Sequence, residues 1–107
     1  MFVRRQRIKK KVFEDIILNS KAVYGSCLYI KYKGNSLPYP RFAVVVPKKV
    51  ERSALKRNAI KRKLRAIILK NEKAIPKSLD VVFFTKNTNK ECFEDDILNI
   101  VKKLHFY

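Results

Sequence analysis

The chain has 107 residues, enough for one domain and too few for two. Hydrophobic residues make up 47%, which supplies a core, while 26 lysines and arginines against 9 acids leave a formal charge of +17 and point to a polyanionic partner. No apolar run reaches the roughly 20 residues of a membrane span, and no apolar segment backs the N-terminal charges as in a secretory signal, so a cytoplasmic protein without a membrane partner is expected.

The charge is concentrated. Residues 1–12 carry Arg4, Arg5, Arg7, Lys9, Lys10 and Lys11 with no acid, and residues 48–73 carry eleven bases against Glu51 and Glu72. The remainder is nearly balanced. Like charges this dense make residues 1–9 a flexible basic arm. Behind it, Val12, Phe13, Ile16 and Ile17 recur at helical spacing, predicting a helix over 10–19. A very short strand near 22–24 has only weak support from alternation. From Cys27 to Lys33 the alternation is clear, with Leu28, Ile30 and Tyr32 on one face and Cys27, Tyr29, Lys31 and Lys33 on the other. Gly34 to Pro40 is turn chemistry, and a hairpin into a strand over 41–46 is expected.

Pro47 ends that strand, and Ser53 is placed to cap a helix over 54–71. At about 100° per residue, Ile60, Leu64, Ile67 and Ile68 form a buried stripe. Asn58, Lys61, Arg62 and Arg65 share a different arc, with Arg57 at its edge. One helix thus has an apolar face and a face suited to phosphate. A short buried strand over 79–85 and a final helix over 89–104 follow. Glu94, Asp95 and Asp96 are read as stabilising the start of that last helix through its dipole. The order is that of an α+β protein, or a small α/β sandwich, built on one sheet. Cys27 and Cys92 lie far apart without ligand spacing and are read as separate buried thiols, and His105 as a terminal surface residue.

The stretch from Lys48 to Arg65 resembles the signature of the bacterial ribonuclease P protein family: a Lys-Lys pair at a strand end, then a helix bearing R-N-x-x-K-R-x-x-R. Lys48 and Lys49 supply the pair, and Arg57, Asn58, Lys61, Arg62 and Arg65 fill the helical motif at every position. Arg7-Ile8-Lys9-Lys10 with Phe13, Ser20-Lys21, Pro40-Arg41 and Asp80-Val81-Val82 extend the likeness over nearly the whole chain. Three positions depart from it: Pro47 precedes the Lys-Lys pair where a serine is common, Glu51 follows where glycine is common, and Ile17 replaces the second aromatic of the first helix.

The resemblance implies a single domain of α-β-β-β-α-β-α order, like domain 2 of ribosomal protein S5, with a left-handed β-α-β crossover that general rules disfavour. It implies a protein subunit of a tRNA-processing endoribonuclease whose RNA performs hydrolysis with Mg²⁺. The chain then has no catalytic residue, metal or cofactor of its own, and its partners are ribonuclease P RNA, in a one-to-one complex, and the 5′ leader of precursor tRNA. Contact with the catalytic RNA falls to Lys48, Lys49, Arg52, Lys56, Arg57, Asn58, Lys61, Arg62 and Arg65, because arginine forks bind phosphate bidentately and release counterions. The single-stranded leader needs aromatic faces in a basic groove, which Phe13, Ile17, Tyr29, Lys31 and Arg41 would form if the first helix faces the sheet. Arg4, Arg5, Arg7, Lys9 and Lys10 form the basic arm. A ribosomal-type RNA-binding protein shares the size and charge but is not expected to reproduce the helical motif. A free-standing nuclease needs paired carboxylates or a histidine base, and a helix-turn-helix DNA binder needs a second short helix ahead of the basic one.

Overall fold

Alternation in the strands and two periodic helix faces set the architecture of residues 6–104, the part described by the computed structural model. The chain runs α1 (Lys10–Asn19), β1 (Lys21–Tyr24), β2 (Leu28–Gly34), β3 (Arg41–Val45), α2 (Ala54–Lys70), β4 (Leu79–Thr85) and α3 (Phe93–Leu104), with single 3₁₀ turns at Glu72–Ala74 and Lys90–Cys92. The expected α+β order is present, and β1, weakly signalled in sequence, is a full strand paired with β2 in antiparallel register.

The four strands are ordered β1-β2-β4-β3. This overturns the expected hairpin between β2 and β3. β4 lies between them, antiparallel to β2 and parallel to β3. Burial explains the choice: Val81, Val82, Phe83 and Phe84 are buried on both faces of β4, whereas Ala43, Val44 and Val45 of β3 are half-buried. A strand apolar on both faces belongs in the centre of a covered sheet.

Leu28, Ile30, Tyr32, Phe42, Val81 and Phe83 face α2 and α3, meeting Ile60, Leu64 and Ile68 of α2 and Phe93, Ile97 and Ile100 of α3. The opposite face carries α1, where Ile16 is buried against Val82 and Phe84, with Val12, Phe13, Ile17 and Tyr29 partly buried around them. The molecule is thus three layers, α1 on sheet on α2 and α3. No helix among the described residues is long and apolar enough to cross a membrane.

Two further expectations change. Cys27 and Cys92 are not separate thiols but are joined as a disulfide, because the β1–β2 turn and the 3₁₀ turn before α3 bring their Cα atoms to 6.5 Å. Asp96 is no exposed dipole partner: it is buried, and its carboxylate accepts from the backbone N–H groups of Ser26 (3.1 Å), Cys27 (2.6 Å) and Leu28 (2.9 Å). Glu94 does remain at the surface, paired with Lys70 of α2 at 3.0 Å. The basic arm is anchored from Gln6 onward. Gln6 is buried and donates to Glu72, while Arg7 bridges to Phe42 at the outer edge of β3. Arg4, Arg5 and His105 lie outside the described residues.

Candidate nucleic-acid interface

The loop between β3 and α2 is built by short-range bonds. The N–H groups of Val50 and Glu51 both donate to the carbonyl of Pro47, folding 47–50 into a turn with Lys48 and Lys49 exposed at its tip. Ser53 caps α2 as its sequence predicts, its Oγ accepting from the N–H of Lys56, while the Glu51 carboxylate takes the N–H of Ser53. Glu51, a departure from the family pattern, thereby becomes part of the cap.

Arg57 closes this assembly. Its Nη1 donates to the carbonyls of Glu51 (3.0 Å) and Arg52 (2.7 Å), so its fork organises the loop that carries Lys48, Lys49 and Arg52. Further along α2, Asn58 and Arg62 are exposed and Lys61 and Arg65 half-buried beside the apolar stripe. Lys56 is exposed on the other flank of that stripe. Among the described residues, none of Lys61, Arg62 and Arg65 pairs with a carboxylate; the ion pairs are Lys33–Asp15, Arg41–Asp80 and Lys70–Glu94. Cations with no internal counter-charge are free to neutralise phosphate.

On the other side of the sheet, α1 and β2 face one another. Phe13 and Ile17 come together with Tyr29 in one partly buried cluster, and Lys31 reaches from β2 to the carbonyl of Ile17 at 3.2 Å. Four of the five expected groove residues therefore converge. Arg41 does not join them as a free cation: its Nε and Nη2 hold both oxygens of buried Asp80 at 2.7 Å, and this bonding raises the guanidinium pKa above its ordinary value. Asp80 also accepts from Asn35. Arg41 is a structural partner because β3 and β4 place it directly opposite Asp80 in register. Nearby, Asp15 of α1 meets Lys33 of β2 at 2.5 Å, and the hydrogen bonds from Lys33 and Asn19 hold its carboxyl below the usual range.

Sequence reasoning missed two rings. Tyr24 stacks on Tyr29 with centroids 5.5 Å apart, and Tyr29 stacks on Phe84 at 4.8 Å and 5°. The signal was present in part, since Tyr24 sits one alternation step from Ala22 in the short strand; the partnership with Phe84 needed the register. Among the described residues, the grouping closest to metal-ligand geometry is Cys27, Cys92 and Asp96. Its sulfurs are bonded to each other and its carboxylate is occupied by backbone N–H groups.

One side of the molecule offers unneutralised cations on a rigid helix, the other a half-open aromatic cluster. That combination fits phosphate and unpaired bases, and it defines a small RNA-binding α+β protein. Comparison with known proteins makes the assignment specific. The family model described as Ribonuclease P matches residues 2–106. The ribonuclease P protein component of Thermotoga petrophila is 30% identical over 112 residues, covering 96% of this chain and 95% of that protein. That of Mycoplasma mycoides is 33% identical over 89 residues, covering 80% and 81%. A solved structure of the Thermotoga maritima ribonuclease P protein superposes with a TM-score of 0.81 at 27% identity, covering 92% of this chain and 97% of that one. The chain belongs to the ribonuclease P protein family, protein components of a tRNA-processing endoribonuclease.

Proposed function

We propose that this chain binds the catalytic RNA of ribonuclease P through the exposed face of α2 and the loop before it, and holds the single-stranded 5′ leader of precursor tRNA between α1 and the sheet. The observation that carries the reading is the set Lys61, Arg62 and Arg65, matched to the family motif and without carboxylate partners among the described residues. Lys48, Lys49, Arg52 and Lys56 extend that surface, and Arg57 shapes it. Asn58 beside these cations offers an amide to a phosphate, a base edge or a hydrated ion. No carboxylate lies on this arc, so the donor set suits outer-sphere contact with Mg²⁺ held by RNA rather than a resident site. The hydrolytic chemistry belongs to the RNA and its Mg²⁺; the residues of this chain bind and orient. The complex is one protein to one RNA, in the cytoplasm.

The test is cleavage of a precursor tRNA by a bacterial ribonuclease P RNA at low Mg²⁺, with and without the protein and with a protein-alone control. Cleavage at the mature 5′ end only when both are present is the expected result. No stimulation across several such RNAs overturns the reading and favours a ribosomal-type structural RNA as partner. Cleavage by protein alone overturns the assignment of chemistry to the RNA.

A further inference from the structure

The ring row on the α1 face of the sheet does not stop inside the groove. The register pairs Tyr24 with Tyr29, Tyr29 with Phe84 and Phe84 with Val45, so these side chains form one line across all four strands. Phe84 at the centre is buried, Tyr29 is half-buried, and Tyr24 on the edge strand is 61% exposed. The three rings stack in sequence, leaving Tyr24 as the terminal ring of the column with one face open. A large aromatic side chain held by stacking yet open to water is a ready platform, because every base presents a π-face.

The surroundings have the charge that a nucleic-acid strand requires. Lys103 of α3 donates to the carbonyl of Tyr24 at 3.3 Å, and Lys86 donates to the carbonyl of Gly25 at 3.2 Å. Each ammonium has further N–H donors beyond that bond. Two cations are thus held on the backbone of the strand end that carries Tyr24, and neither meets a carboxylate among the described residues. At the other end of the row, the chain leaves Val45 directly into the turn bearing Lys48 and Lys49. The row of paired residues therefore runs from the strand that leads into the basic loop, across the groove, to a basic edge.

We infer that Tyr24 is a stacking site for one unpaired nucleobase of the RNA strand bound in the groove, with Lys86 and Lys103 meeting the adjoining phosphates. This rests on the proposed leader-binding role of the groove and extends it to the β1 edge. The base occupies the open face of Tyr24 and continues the column Phe84–Tyr29–Tyr24. Purines, with the larger π-surface, bind better there than pyrimidines.

The experiment uses the holoenzyme assembled with a bacterial ribonuclease P RNA. Because the chain contains no tryptophan, Tyr24→Trp introduces a single indole at the platform. Precursor tRNA should quench that indole, and mature tRNA should leave it unchanged. Tyr24→Ala should weaken precursor tRNA about tenfold, within the range expected for losing one base–aromatic stack, with mature tRNA unaffected and Tyr24→Phe near wild type. Shortening the leader one nucleotide at a time should abolish the difference between Tyr24→Ala and wild type at one length, and a purine at that nucleotide should restore the most affinity. If wild type separates precursor from mature tRNA while Tyr24→Ala does so equally, the Tyr24 inference is wrong and the groove reading stands. Wild type binding both equally overturns the groove reading and this inference with it. Loss of mature tRNA binding in Tyr24→Ala, or in Tyr24→Phe, assigns Tyr24 a structural role and also overturns the inference.

Discussion

Replacing Asp96 with alanine removes the acceptor for three backbone N–H groups at once. Its Oδ2 takes Cys27 and Leu28, both in the core, and its Oδ1 takes the exposed Ser26. Water replaces the bond to Ser26 at little cost. The N–H groups of Cys27 and Leu28 have no such recourse, and each unmet buried donor costs about 1–3 kcal/mol. Removing the buried carboxylate recovers part of its own desolvation, which places the net loss for Asp96→Ala near 3 kcal/mol. That is a large share of the roughly 5–15 kcal/mol available to a domain of this kind. Asp96→Asn keeps an oxygen for Cys27 and Leu28 and turns an amide N–H toward Ser26, so it should lose only about 1 kcal/mol. Gly25 supplies an independent arm. A Cβ built there meets Asp96 Oδ2 at 2.6 Å and Cγ at 2.9 Å, so Gly25→Ala should cost about 1–3 kcal/mol by overpacking. In the Asp96→Ala background that obstruction is gone, and the two changes should cost less together than their sum by about 1 kcal/mol. Urea unfolding of the wild type and the four variants measures all of this. A loss under about 1 kcal/mol for Asp96→Ala, or equal cost of Gly25→Ala in both backgrounds, refutes the assignment of Asp96 as the acceptor that holds this turn.

Arg62→Ala should leave stability unchanged and reduce the slope of log affinity for the catalytic RNA against log salt by about one unit; an unchanged slope removes α2 from the interface. Arg57→Ala should reduce affinity and also loosen the loop bearing Lys48 and Lys49, visible as faster amide exchange at Val50 and Glu51, whereas Arg62→Ala should not. Arg41→Ala strands buried Asp80 with Asn35 as its remaining side-chain partner and should cost about 3–5 kcal/mol in urea unfolding; a loss confined to leader affinity with full stability would return Arg41 to the groove. The Asp15 carboxyl should titrate below its ordinary value of 3.8 by NMR and rise toward it in Lys33→Met, where only the Asn19 hydrogen bond still lowers it. A lowered folded pKa means that the pair stabilises the fold above the ordinary value and loses this as pH falls through the folded one. The effect is small and fades with salt, because both groups are exposed.

Features read directly from sequence share one property: they recur with a local period. Ile60, Leu64, Ile67 and Ile68 mark the buried stripe of α2 because a helix returns to the same side every three to four residues, and Lys61, Arg62 and Arg65 fall off that stripe by the same geometry. Leu28, Ile30 and Tyr32 mark the core face of β2 because a strand alternates. The Ser53 cap, the concentration of charge and the family motif were equally local. Phe13, Ile17, Tyr29 and Lys31 are recognisable by type and spacing, but they share one surface only where α1 covers β2, a condition the tertiary structure supplies.

What the tertiary structure decided lies between residues with no periodic relation. The position of β4 between β2 and β3 follows from competition for the centre of the sheet, which no single strand reports. The same pairing sets Arg41 against Asp80, so that a cation expected in the groove is held in an internal ion pair. Packing of α3 on the β1–β2 turn joins Cys27 to Cys92 and converts Asp96 from a helix-end charge into a backbone acceptor. Tyr24 shows the division most plainly: its residue type was visible from the start, but its place at the open end of a three-ring column exists only because three strands meet in one register. Local periodicity is written in the chain within a few residues of itself, whereas a site assembled across strands depends on which pairings bury the most apolar surface while satisfying their polar groups.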